Sequence, residues 1–171
     1  MTDHEEVPLN KLGKSFMDSQ MQEASRAPRK RVHHNLHPSL EDPIQRMCVA
    51  MEPGSYFRPH RHSDPGRWEM FIALRGSAAV LVFDEQGTVL SRTEISPHGE
   101  ATLVEIPAGA WHNLCVLEPG TVLFESKPGP YVPLTDKDFA SWAPPEGTQE
   151  APHFEKWFRI ALEGDAPPEQ P

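Results

Sequence analysis

The stretch Gly54-Ser55-Tyr56-Phe57-Arg58-Pro59-His60-Arg61-His62-Ser63-Asp64-Pro65-Gly66-Arg67-Trp68-Glu69 sets two histidines two residues apart and a glutamate seven residues after the second. In an extended segment, residues two apart share a face, so His60 and His62 are read as aimed at one target. Glu69 opens the next apolar run, and Gly76 ends it. A second element, Pro107-Ala108-Gly109-Ala110-Trp111-His112, delivers another histidine to the head of a strand through a Pro-x-Gly turn. Three imidazoles and a carboxylate form a plausible donor set for one divalent transition metal, with iron, zinc, manganese and nickel all compatible. The candidate ligands are therefore His60, His62, Glu69 and His112. Glu69 is also the candidate catalytic base.

Outward from these elements the chain reads as strand after strand. Apolar or β-prone runs cover 44–51, 55–60, 68–75, 77–84, 89–95, 101–106, 113–118 and 121–127, with Pro/Gly breakers between them. That spacing predicts an antiparallel sandwich or barrel and argues against a parallel α/β sheet. Strand parity puts Phe71 and Ala73 on the same face as Glu69, and turns the Trp111 ring away from His112. Arg46, Arg58, Glu125, Lys127 and Tyr131 are candidates for the rim of a pocket, where the basic groups would suit an anionic ligand. The roles of His33, His34 and His37 stay open between a strand over the pocket and a surface patch.

The 171 residues carry a net charge of −9, which argues against nucleic acid as the partner. No apolar window is long enough for a membrane span, and the acidic N-terminus does not read as a secretory signal, so a cytoplasmic location is expected. Cys48 and Cys115 fall inside apolar runs and read as buried thiols.

Three zones are expected: an arm over 1–31, a barrel domain over 32–143 and a Pro-rich acidic tail over 144–171. The arm holds an amphipathic helix over about 8–25, followed by a basic run (Arg26, Arg29, Lys30, Arg31) that is either solvated or a local partner for the acidic body. The tail is read as mostly extended except for a helix at 152–162, whose apolar stripe is Phe154, Trp157, Phe158, Ala161 and Leu162. Both faces of the 68–75 strand are apolar, so its outer face is expected to be covered by a second sheet, an arm helix or another subunit, with a homodimer the simplest cover.

Gly54-x5-His60-x-His62-x6-Glu69-x6-Gly76 resembles the first motif of the cupin superfamily, G-x5-H-x-H-x3–4-E-x6-G, with a longer gap before the glutamate. Pro107-x-Gly109-x2-His112 resembles the core of the second, with Ala101 and Val116 at positions where that motif has glycine and asparagine. The resemblance implies an all-β jelly-roll barrel holding one metal on His60, His62, Glu69 and His112. Arg31 to His37, Pro59 to His62, Trp68-Glu69, Arg75-Gly76, Ile106-Pro107, Trp111-His112 and Lys127 to Tyr131 are together similar to the WbuC family of cupin-fold metalloproteins, found among surface-polysaccharide genes. The likeness implies fold and metal rather than a particular substrate; the expected function is a metal-dependent enzyme on a small polar molecule, such as a sugar or nucleotide-sugar intermediate, with isomerase or epimerase chemistry. An iron-dependent dioxygenase and a non-catalytic metal- or sugar-sensing module are the alternatives.

Overall fold

The structure is a computed structural model and describes residues 9–169. Its eight strands form two antiparallel sheets. The larger has β1 (Arg31–Asn35), β2 (Ile44–Met51), β8 (Thr121–Pro128), β3 (Glu69–Arg75) and β6 (Leu103–Ile106), in that spatial order. The smaller has β5 (Val89–Ile95), β4 (Ala78–Phe83) and β7 (Trp111–Val116). Face to face they make a cupin-type jelly roll, in which strands distant in the chain become neighbours, as β2 and β8 do.

The apolar core fills one end of this sandwich. Met47, Val49, Met51, Phe71, Ala73 and Leu123 of the larger sheet meet Ala78, Val80, Ile95, Leu114 and Val116 of the smaller. Toward the other end the same inward face turns polar. Register sets Phe71 beside Glu125 and Glu125 beside Met47, then Lys127 beside Gln45. Period-two alternation thus gives each of these strands an apolar half that closes the core and a polar half that opens a site.

Helix α1 (Lys14–Arg26) lies on the outer face of the larger sheet, where Met17, Met21 and Ala24 cover Ala50 and Val122. The helix expected over about 8–25 starts later, and residue 8 lies outside the described residues. Helix α2 (Ala151–Ile160) packs on the outer face of the smaller sheet. Its Phe154 and Phe158 are buried against Leu81, Phe83, Val89 and Cys115. The smaller sheet is therefore covered on both sides, which explains why all six residues of β7 are buried. The aromatic helix is part of the core; only the end of its expected stripe fails, with Leu162 63% exposed. Both cysteines are buried free thiols.

One local expectation changes and one open alternative is decided. The run 55–60 is not a regular strand: His60 makes isolated bridges to His112 and Phe139, and the rest is loop. Pro59 removes a backbone donor inside it, and Pro53 and Pro65 flank it, which works against a continuous ladder. In its place Arg31–Asn35 supplies the edge strand β1. The basic run before β1 is a local partner: Arg29 and Arg31 both pair with Glu146, and the Arg31 guanidinium lies 3.9 Å from the Phe57 ring centroid.

Candidate metal centre

Three segments converge at the polar end. His60 comes from the loop, and its backbone exchanges both hydrogen bonds with His112 at the head of β7, at 3.0 and 2.9 Å. His62 follows two residues on, and Glu69 opens β3. One ligand atom from each of His60, His62, Glu69 and His112 lies within 4.8 Å of the others. Gly54 and Gly109, at φ +93° and +82°, occupy left-handed turns on the way into the loop and into β7, where a side chain would be strained.

The hydrogen bonding around the rings fixes what they present to one another. His60 Nδ1 lies 3.1 Å from the Arg58 carbonyl and His112 Nδ1 lies 2.9 Å from the Ala110 carbonyl. A carbonyl oxygen only accepts, so each Nδ1 carries a hydrogen and each ring turns its Nε2 inward. His112 Nε2 is 3.2 Å from Glu69 Oε2. His62 Nε2 is buried, makes no hydrogen bond and stands 3.6 Å from Glu69 Oε1. Ring nitrogens this close to a carboxylate call for a proton or a cation between them. Burial and the neighbouring His112 push His60 down to about 3, so this ring stays neutral and available as a donor to a metal. Imidazole and carboxylate are donors that iron, zinc, manganese and nickel accept, and the residues present fit such an ion.

Lys127 ties the cluster to its surroundings. Its Nζ donates to Glu69 Oε1 at 2.9 Å and pairs with Glu125. Burial alone would raise the Glu69 carboxyl, but Lys127 and the imidazoles outweigh it and hold the group well below the usual carboxylate range. Glu125 receives less compensation: burial lifts its carboxyl to about 7, with Lys127 acting against the rise and Glu69 adding to it. One ammonium thus serves two buried carboxylates, and burial is offset less at the second.

The cluster opens onto a cavity of about 330 Å³. Glu125, Lys127 and Tyr131 line it, as the sequence reading expected, and so does Phe71. Tyr131 is folded back over the mouth by a hydrogen bond from its N–H to the Leu40 carbonyl at 2.7 Å. Arg58 and Arg46 do not line it. Arg58 turns outward and donates to the Ala140 and Ala143 carbonyls at 2.9 and 3.0 Å, because the loop around it is not a strand and parity does not apply. Arg46 sits exposed on the outer face of β2, while its neighbours Gln45 and Met47 face inward. Strand parity read from Gln45, Met47 and Val49 would have found that wall. Trp111 does turn away from His112, donating from Nε1 to Glu85 at 3.0 Å. His33 and His37 line the cavity, whereas His34 packs on Phe16 behind the sheet.

Fold and site together define a cupin-type jelly roll with a three-histidine, one-glutamate cluster at its open end. A family model described as a domain of unknown function (DUF6016) matches residues 12–95, a span that includes His60, His62 and Glu69. No curated protein matches the chain. Among solved structures, KdgF from Halomonas sp. is similar at 18% identity, over 63% of this chain and 82% of its own, with a TM-score of 0.45. A cupin-2 domain containing protein from Shewanella frigidimarina is similar at 19% identity over 57% and 80% of the two chains, with a TM-score of 0.43. An oxalate oxidase in complex with the substrate analogue glycolate is similar at 16% identity over 63% and 55%, with a TM-score of 0.49. No helix among the described residues is long and apolar enough to cross a membrane.

Proposed function

We propose that this chain is a metal-dependent enzyme that holds one divalent transition metal on His60, His62, Glu69 and His112 and acts on a small organic molecule in the adjoining cavity. The observation that carries this reading is the set of inward Nε2 atoms facing the Glu69 carboxylate, one of them buried with no hydrogen bond at all. A bound metal would supply Lewis-acid polarisation of an oxygen on the ligand. Lys127 orients Glu69 through Oε1, and Glu125, its carboxyl raised by burial to about 7, stands beside it at the cavity wall.

The wall also bears on the substrate. Met47, Val49, Phe57, Phe71 and Leu114 line the cavity together with the polar side chains of His33, Asn35, Gln45, Glu125 and Lys127. A small organic molecule with both oxygen-bearing and apolar parts fits that mixed lining.

Elemental analysis of protein purified without added metal tests the reading, with about one transition-metal ion per chain expected. Protein that carries no such ion, and takes none up on dialysis against iron, manganese, nickel or zinc, overturns it.

A further inference from the structure

The histidine cluster has a second side. His60, Glu69 and His112 line the larger cavity, whereas His60 and His62 line a smaller one of about 120 Å³. Gln45, Lys127 and Tyr131 stand in both linings and form the partition between the two. The rest of the smaller cavity is walled from two directions. Arg67 and Trp68 come from the loop that joins His62 to Glu69, and Val132 and Leu134 come from the segment after β8. Arg67 Nη1 donates to the Pro130 carbonyl at 3.1 Å and ties that loop to that segment.

The two linings differ in charge. The larger cavity sets Glu69 and Glu125 beside Lys127. The smaller one has two cations, Arg67 and Lys127, and no aspartate or glutamate. Both carboxylates that pair with Lys127 lie on the larger cavity's side, and they take two of its three N–H donors. Arg67 Nε is 3.4 Å from Asp64, but that carboxylate is 58% exposed and outside the lining, so solvent screens the pair. Arg67 Nη2 makes no hydrogen bond with the described residues. Neither cation is sealed off, since their side chains are 21% and 22% exposed. Cationic donors in a recess with no carboxylate of its own suit an oxyanion, and the planar fork of an arginine matches the two oxygens of a carboxylate.

We propose that the smaller cavity is an anion site beside the metal cluster, in which Arg67 and the free donor of Lys127 hold a small carboxylate or similar oxyanion of the size of formate or acetate. The larger cavity is left for the organic ligand, so the centre takes two molecules, one from each side. The anion site goes beyond the metal-centre reading, because it is built from side chains of the chain alone.

Acetate and acetamide test it, since they share a shape and differ in charge. Their binding to the protein as purified is measured by titration calorimetry, with metal content determined on the same samples. Acetate should bind at least fivefold more tightly than acetamide. Arg67→Gln should remove most of that preference with the metal content unchanged. Arg67→Lys, which keeps the charge and loses the fork, should weaken acetate at least twofold and leave acetamide as it is. Equal binding of the two probes, binding of neither, or unchanged acetate affinity in either variant overturns the proposal, because acetate held without Arg67 is held by the metal or the larger cavity. Purified protein without metal defeats the metal-centre reading instead and leaves this comparison valid.

Discussion

His60 and His112 exchange both backbone hydrogen bonds across a single pair of residues, at 3.0 and 2.9 Å, and their ring centroids lie 4.5 Å apart. The loop and β7 are thereby locked together at the point where each contributes a donor. The spacing of two of the four groups is set by the main chain before any ion arrives, which lowers the ordering cost of binding one.

Replacing either ring by alanine should remove most of the bound metal. His60→Ala and His112→Ala are each expected to lower metal content by at least tenfold and to abolish the rise in melting temperature that added metal gives the wild type. Inductively coupled plasma mass spectrometry and thermal melts check this; stoichiometric metal in both variants refutes it.

Lys127 is the cation that serves Glu69 and Glu125, whose side chains are 4% and 8% exposed. Lys127→Met leaves two buried carboxyl groups without it. Removing one partner of a buried pair costs about 3 kcal/mol, and the partial exposure of Lys127 puts the expected loss nearer to ~2 kcal/mol. Urea unfolding of metal-free protein measures it, and an unchanged midpoint would show that the ammonium contributes nothing.

Phe158 is fully buried between α2 and the smaller sheet. Phe158→Ala should destabilise the protein by about 3–5 kcal/mol through lost transfer energy and a residual cavity. A chain ended after Ala143 uncovers Leu81, Phe83 and Val89 and should be insoluble or aggregated by size-exclusion chromatography. A soluble monomeric truncation that keeps its metal would place α2 outside the cooperative core.

Asp138 ties the segment behind the site to the loop: its carboxylate accepts from Ser63 Oγ at 2.6 Å, and from the Thr135 hydroxyl and N–H at 2.7 and 2.9 Å. The Ser63 and Thr135 hydrogen bonds hold the carboxyl down at about 2. An unfolded aspartate titrates near ~3.9, so the stabilisation is complete above that pH and is lost as pH falls toward 2. The stability gap between wild type and Asp138→Asn should be constant from pH 7 to 5 and shrink between pH 4 and 2. Denaturant titrations across that series decide it, and a gap unchanged down to pH 2 refutes the assignment.

Much of this was legible in the residues themselves. The strands 44–51 and 89–95 occur as β2 and β5 with the same limits, because alternation and Pro/Gly punctuation act locally. Parity within a regular strand also held: Phe71 reaches the cavity from β3, and Trp111 turns away from His112 on β7. Parity failed at Arg58, where prolines break the ladder that the argument assumes.

Local order along the chain was enough to mark out the four side chains that cluster, because His60, His62, Glu69 and His112 carry metal-donor groups at turn-bounded positions. The tertiary structure alone decided what surrounds them. Lys127 reaches Glu69 because β8 lies between β2 and β3, and His37 meets Arg46 because β1 adds to the sheet edge. Such neighbours are chosen by strand order and register, which arise from long-range pairing and leave no periodic mark on the chain.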